Sequence, residues 1–187
     1  INLIQQFASK QMTQPDRWQH AEPTIVKDRV LITPPVTDLL VCLDRDSGKV
    51  AWDTKREDGL FVAGVVDGVA IIVGRSSVRG IRVDNGESAW NSVALPDGLQ
   101  PAGQGILIPK GDLKSAELHL PQANGNVAVL EIAKGRWGTR QWQFEGFPGN
   151  IAAGPQTIVS QVVRGVTIFD RTEKRRAKVL AALAANP

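Results

Sequence analysis

Four short segments of this chain end alike: Leu39 to Asp44 reads LLVCLD, Arg79 to Asp84 RGIRVD, Asn126 to Glu131 NVAVLE and Gly165 to Asp170 GVTIFD. Their terminal acids lie 40, 47 and 39 residues apart. After the first two, a turn glycine is followed four positions later by tryptophan, as Gly48 to Trp52 and Gly86 to Trp90. A period near forty built of strand-like segments marks a repeat architecture. In such an array each unit buries its faces only against its neighbours.

The second repeat is the clearest. Phe61 to Val66 reads as a strand, Asp67-Gly68 as a tight turn and Val69 to Val73 as the hairpin partner. Val78 to Val83 is a third strand, and Asp84-Asn85-Gly86 turns the chain into a fourth, Glu87 to Asn91. The first repeat follows the same plan: Thr24 to Val26, Arg29 to Thr33, Leu39 to Leu43 and Lys49 to Asp53. Its paired Pro34 and Pro35 cannot sit inside a hydrogen-bonded ladder, so they fall in a connection. The third repeat is irregular. Gly105 to Ile108, Ala116 to Leu120 and Val127 to Glu131 read as strands, and Asn124-Gly125 is a hairpin turn. Gly135 keeps its place after Glu131, but Trp137 and Trp142 straddle the tryptophan position. The fourth repeat offers Ile151 to Ala153, Thr157 to Gln161 and Val166 to Asp170, after which the period changes. Asp170 with Glu173 fits a capping box, and Ala177, Leu180, Leu183 and Ala184 form a helical stripe ending at Asn186-Pro187. The expected organisation is a lead-in over 1–20, blades over 21–53, 54–91, 92–144 and 145–171, and a basic helix over 172–187. Its fold class is all-β, with four-stranded antiparallel blades and a C-terminal helix.

Asp44, Gly48, Trp52, Asp84, Gly86, Trp90, Glu131, Gly135 and Asp170 are the structural repeat residues of this scheme. An acid opening a turn accepts hydrogen bonds from the turn's amides, and glycine supplies the positive φ that closes it. The tryptophan offers a broad face to bury against the next unit.

The LxxxDxxxGxxxW pattern of Leu40 to Trp52, with its shortened copy at Arg82 to Trp90, resembles the tryptophan-docking repeat of the PQQ-like, quinoprotein-type β-propellers. That family includes eight-bladed quinoprotein alcohol dehydrogenases and non-catalytic scaffolds, and this chain resembles the BamB-like style of repeat. The resemblance covers Trp18 to Arg171 and implies a partial ring of about four blades. The missing blades would be supplied by the same chain or by a second copy. With no initiator Met and no signal peptide, the chain reads as processed or excised from a larger bacterial protein.

The resemblance implies either a binding scaffold in the periplasm or cell envelope, or part of an oxidoreductase that carries PQQ above a calcium ion. For the second, the chain has no Cys-Cys pair and no cluster of Asp, Glu and Asn that spacing nominates as a calcium site. Asp44 and Asp46 lack the length and final Glu of a calcium loop, so they read as turn residues. GxSxG, HExxH and GxxxxGK[ST] are absent from the sequence. Gly103-Gln104-Gly105 opens like a dinucleotide fingerprint, but Ile108 holds the third glycine position. His20 and His119 lie apart, and the single Cys42, inside LLVCL, reads as a buried hydrophobe. The expectation is therefore no catalytic, cofactor-binding or metal residue, and an unidentified protein partner.

The net charge of +3 is concentrated near one end, where Arg171, Lys174, Arg175, Arg176 and Lys178 place five cations in eight residues. Such a helix binds anionic polymer or lipid in one reading; in the other it is a solvated face. Without aromatic interleaving or a second basic patch the solvated face is preferred, and no nucleic acid partner is expected. No run approaches the eighteen or so apolar residues of a membrane span.

Overall fold

The computed structural model describes residues 18–35, 37–110, 112–143, 148–154, 157–162, 165–170 and 179–182. Residues 1–17 of the lead-in expected over 1–20, Glu173, and the five cations of the basic segment lie outside the described residues, whereas 179–182 are helical.

The chain is a series of antiparallel meanders. The first sheet is β1 (Thr24–Val26), β2 (Arg29–Ile32), β3 (Leu39–Asp44) and β4 (Val50–Lys55). The second is β5 (Gly59–Val66), β6 (Val69–Gly74), β7 (Ser77–Arg82) and β8 (Ser88–Ala94). The third is β9 (Ile106–Lys110), β10 (Asp112–Pro121), β11 (Asn126–Glu131) and β12 (Arg136–Gln143). The last has three strands among the described residues, β13 (Ile151–Ala153), β14 (Thr157–Val162) and β15 (Gly165–Asp170). These are blades of a β-propeller, each strand paired to the next in sequence.

Burial follows from stacking. VAIIVG in β6 shows no polar alternation because both faces of its sheet are covered: Ala70 and Ile72 face the first sheet, and Ile71 and Val73 the third. Leu31, Leu40 and Cys42 of the first sheet meet Ala70, Ile72, Ile81 and Val83 of the second. Phe61, Ile71, Val73 and Val78 meet Leu118, Leu120 and Leu130 of the third. Ile108 and Val127 meet Ile151 and Ile158 of the fourth. Trp18, 5% exposed, seals the first junction; its Nε1 donates to Leu39 O at 3.0 Å, and Gln19 N donates to Leu60 O at 2.8 Å.

The third sheet carries a register shift between its last two strands. On β11 the partners of Gln141 and Trp137 are Ala128 and Leu130, so four steps on β12 oppose two on β11. Trp137 stands two residues after the turn glycine Gly135, ahead of this shift, and Trp142 beyond it, so neither holds the position four residues after the glycine seen in the first two repeats.

Because a meander reverses at every turn, its connections fall alternately at two ends. One end gathers the hairpins 27–28 and 67–68 with the turns 45–49 and 83–87, tied by Arg45 N to Asp28 O and Val83 N to Gly68 O. The other gathers 33–38, 56–58, 75–76, 95–105 and 122–125, tied by Arg75 N to Asp58 O, Ala123 N to Gln100 O and Ala102 N to Pro121 O.

Candidate functional site

The repeat residues occupy the hairpin end and the sheet junctions. Asp44 closes β3: its Oδ1 accepts from Ser47 N at 2.8 Å and Ser47 Oγ at 2.6 Å, and Arg29 Nη1 donates to its Oδ2 at 3.1 Å. The Ser47 hydrogen bonds, aided by Arg29, hold the carboxyl below its ordinary range. Gly48 closes that turn at φ +65°. In the second turn the corresponding bond is made by Asn85, whose Oδ1 accepts from Glu87 N at 3.0 Å, while Asp84 is exposed. The third turn is a single 3₁₀ turn, Ile132–Lys134, capped by Gly135 at φ 56°. Lys134 pairs with Glu131 at 2.5 Å and lowers its pKa. Asp170 ends β15 opposite Thr157.

The tryptophans point toward the following sheet. Trp52 lies opposite Cys42, its Nε1 donates to Val83 O of the second sheet at 2.9 Å, and its ring lies against Gly86, φ +77°. A Cβ on Gly86 would stand 2.7 Å from Trp52 Cδ2. Trp90 lies opposite Gly80, which its ring covers, at the margin of the junction between the second and third sheets. Trp137, half-buried on β12, reaches back instead: its Nε1 donates to Ala94 O at 2.6 Å.

Two buried polar groups escape a reading by motif. At the loop end, Arg56 and Arg79 are 5% and 8% exposed. Arg79 Nη2 donates to Lys55 O at 2.7 Å and Arg56 O at 2.8 Å, Arg56 Nη1 donates to Gly59 O at 2.8 Å, and Glu57 pairs with Arg79 at 3.3 Å. Burial lowers the Arg79 pKa, opposed by Glu57 and Asp58. These cations clamp the connection between the first two sheets by satisfying its carbonyls.

The second group is on β10. Glu117 and His119, 6% and 5% exposed, lie two residues apart on the strand face turned to the fourth sheet. Glu117 Oε1 is paired with Lys110 Nζ, and its Oε2 lies 3.2 Å from His119 Nε2. Burial raises the Glu117 carboxyl, but the hydrogen bond and charge of Lys110 and then of His119 outweigh it, leaving it below the ordinary range. The signal was the alternation Glu-Leu-His in a strand, which puts both polar residues on one face. His119 is thus tied to an acid, where sequence spacing left it isolated. His20 packs edge-on against Phe61, ring centroids 6.1 Å apart. Cys42 is fully buried, and burial raises its thiol pKa.

The exposed tips at the loop end include Asp38, Glu57, Asp97 and Gln100, carried on connections over buried strand ends. The 95–105 connection is the longest there; it is pinned by Gln104 N to Asn150 Oδ1 at 2.8 Å and Ile151 N to Gln104 O at 2.9 Å. Rigid sheets carrying exposed loops make a recognition surface. Among the described residues no three His, Cys, Asp or Glu side chains converge to hold a metal ion.

A PQQ-repeat family model described as outer membrane protein assembly factor BamB matches residues 6–145. Among curated proteins nothing matches. BamB from Moraxella catarrhalis aligns at 17% identity with a TM-score of 0.60, over 81% of this chain and 43% of that one. The Neurospora crassa Pan2 WD40 domain aligns at 16% identity and 0.61, over 87% and 56%. The computationally designed Ika4 protein aligns at 13% and 0.57, over 85% and 99%. The chain thus spans less than half the length of the BamB chain it matches, and at these identities the likeness to solved structures is one of fold.

Proposed function

We propose that this chain, which belongs to the PQQ-repeat family described as outer membrane protein assembly factor BamB, is a non-enzymatic scaffold that binds a protein partner through the loop end of its blades. The observation that carries the reading is the use of the buried chemistry-bearing groups. Arg56 and Arg79 hold backbone carbonyls and Glu117 holds Lys110 and His119, while the exposed 95–105 connection and its neighbours stand on a fixed frame. The reading extends to a periplasmic or cell-envelope setting, for which the family description is the support; among the described residues no helix is long and apolar enough to cross a membrane.

The test places a photo-crosslinking amino acid at Gln100 on the loop end and, separately, at Glu87 on the hairpin end, in cells expressing the protein. One discrete protein adduct from position 100, absent from position 87, is expected. Equal labelling from both ends would overturn the loop-end site. Dye reduction dependent on added PQQ and Ca²⁺ would overturn the non-enzymatic reading in favour of the oxidoreductase alternative. Binding to anionic lipid or polymer that falls steeply with salt, and is lost when Arg175 and Arg176 become Glu, would favour the basic segment instead.

A further inference from the structure

The end of β10 carries a polar side chain that the scaffold does not use. Gln122 follows Pro121 and keeps the strand's pairing, its N donating to Asn126 O at 2.8 Å and Gly125 N donating to its O at 3.1 Å. Its side chain therefore continues the face of Leu118 and Leu120, which pack against the second sheet. Gln122 is 1% exposed, and among the described residues neither its Nε2 nor its Oε1 has a hydrogen-bond partner. A primary amide is both donor and acceptor, and burying it with both needs unmet destabilises the free chain. Methionine or leucine would fill a similar volume without that penalty.

The 95–105 connection crosses from the second sheet to the third at this rim. Leu95, buried in the same junction, anchors one side by donating its N to Ser76 O at 2.8 Å, and Pro101 forms a bridge opposite Gln122 on the other. Among the described residues the main chain of Pro96 to Leu99 is bonded only within its own turn, Gly98 N to Leu95 O and Leu99 N to Pro96 O. Gln100 adds a bond to the third sheet, its O accepting from Ala123 N at 3.2 Å. Displacing Pro96 to Gln100 breaks that bond and opens the rim over Gln122, while Ala102 N to Pro121 O and the pin at Gln104 stay in place.

We propose, resting on the loop-end reading of the site, that Pro96 to Gln100 are a cover which the protein partner displaces. An extended segment of the partner then lies along the end of β10, one carbonyl taking Ala123 N and one peptide group pairing with the Gln122 amide. The occupant is peptide because the place at Ala123 N is already filled by a backbone carbonyl, that of Gln100, and a carboxamide matches a peptide N–H and C=O.

With the photo-crosslinking amino acid at position 100, Gln122→Met is expected to cut the partner adduct at least about tenfold, for two forfeited hydrogen bonds. Its urea midpoint should be at or above that of the unsubstituted chain. An equal adduct yield overturns the role of the amide and leaves the loop-end site standing; no adduct from position 100 with Gln122 in place overturns both. Lower urea midpoints for Gln122→Met and Gln122→Leu alike would mean that the amide is paired in the free chain, by an internal water, and would overturn the proposal as well. Opening is read without the partner, from the rate at which iodoacetamide alkylates Gln122→Cys under native conditions, with the fully buried Cys42 of the same chain as reference. The introduced thiol is expected to react faster than Cys42. Equal rates would mean that the rim opens only when the array unfolds, and the cover would be no cover.

Discussion

A single Cβ tests how the first two sheets are joined. Gly48 and Gly86 occupy equivalent turns at φ +65° and +77°, so alanine strains the backbone at either. At Gly48 a Cβ meets nothing within 4 Å, whereas at Gly86 it meets the docked ring of Trp52. Gly48→Ala is therefore expected to cost about 1 kcal/mol, the conformational part alone. Gly86→Ala should cost about 2–3 kcal/mol, because either the turn or the indole that donates to Val83 O must move. Urea unfolding of the two variants measures the difference; equal losses would mean that the ring does not rest on the turn.

At the scale of the element, β10 carries a pH dependence whose sign is set by Glu117. Its carboxyl is held below the ordinary value of about 4.3. Such a group contributes stability that is present above the unfolded pKa and lost as pH falls through the folded one. Stability should therefore decline as the solution is taken below about pH 4.3. Glu117→Gln should lower stability at pH 7 and flatten that decline, since Lys110 and His119 then face a neutral amide. Urea midpoints across the acid range check this, and an unchanged slope would remove Glu117 from the acid response. Much of the strand order was legible beforehand, because each of the four acid-terminated segments contributes the third strand of a sheet. Val83 falls in the turn after β7 rather than in the strand, and Asp84 lies in the turn as expected. The third sheet was less legible, since Trp137 stands two residues after Gly135 and donates back to Ala94 O, a relation between sheets that leaves no mark in β12 alone. The Glu117 cluster and the Arg56–Arg79 clamp were hidden for a similar reason. A charged residue in a strand reads as solvent-facing until the sheet that buries it is known.

Across the whole molecule, stability in a stacked array is a sum of unit and nearest-neighbour terms, so the junctions need not be equal. Among the described residues, twelve buried residues form the junction of the second and third sheets, eight that of the first and second, and four that of the third and fourth. Apolar burial dominates such junctions, so the array should open from its fourth sheet. Native-state hydrogen exchange is expected to show the highest protection in β6, β7 and β11 and the lowest among paired strands in β14. Leu118→Ala, which empties a fully buried position at the largest junction, should cost about 2–5 kcal/mol and lower protection in both the second and third sheets. Ile158→Ala should lower protection in the fourth sheet while leaving β6 unchanged, because its loss is confined to the smallest junction. Matching protection in β14 and β6 would mean that the sheets open as one cooperative unit, and the nearest-neighbour account of this array would fail.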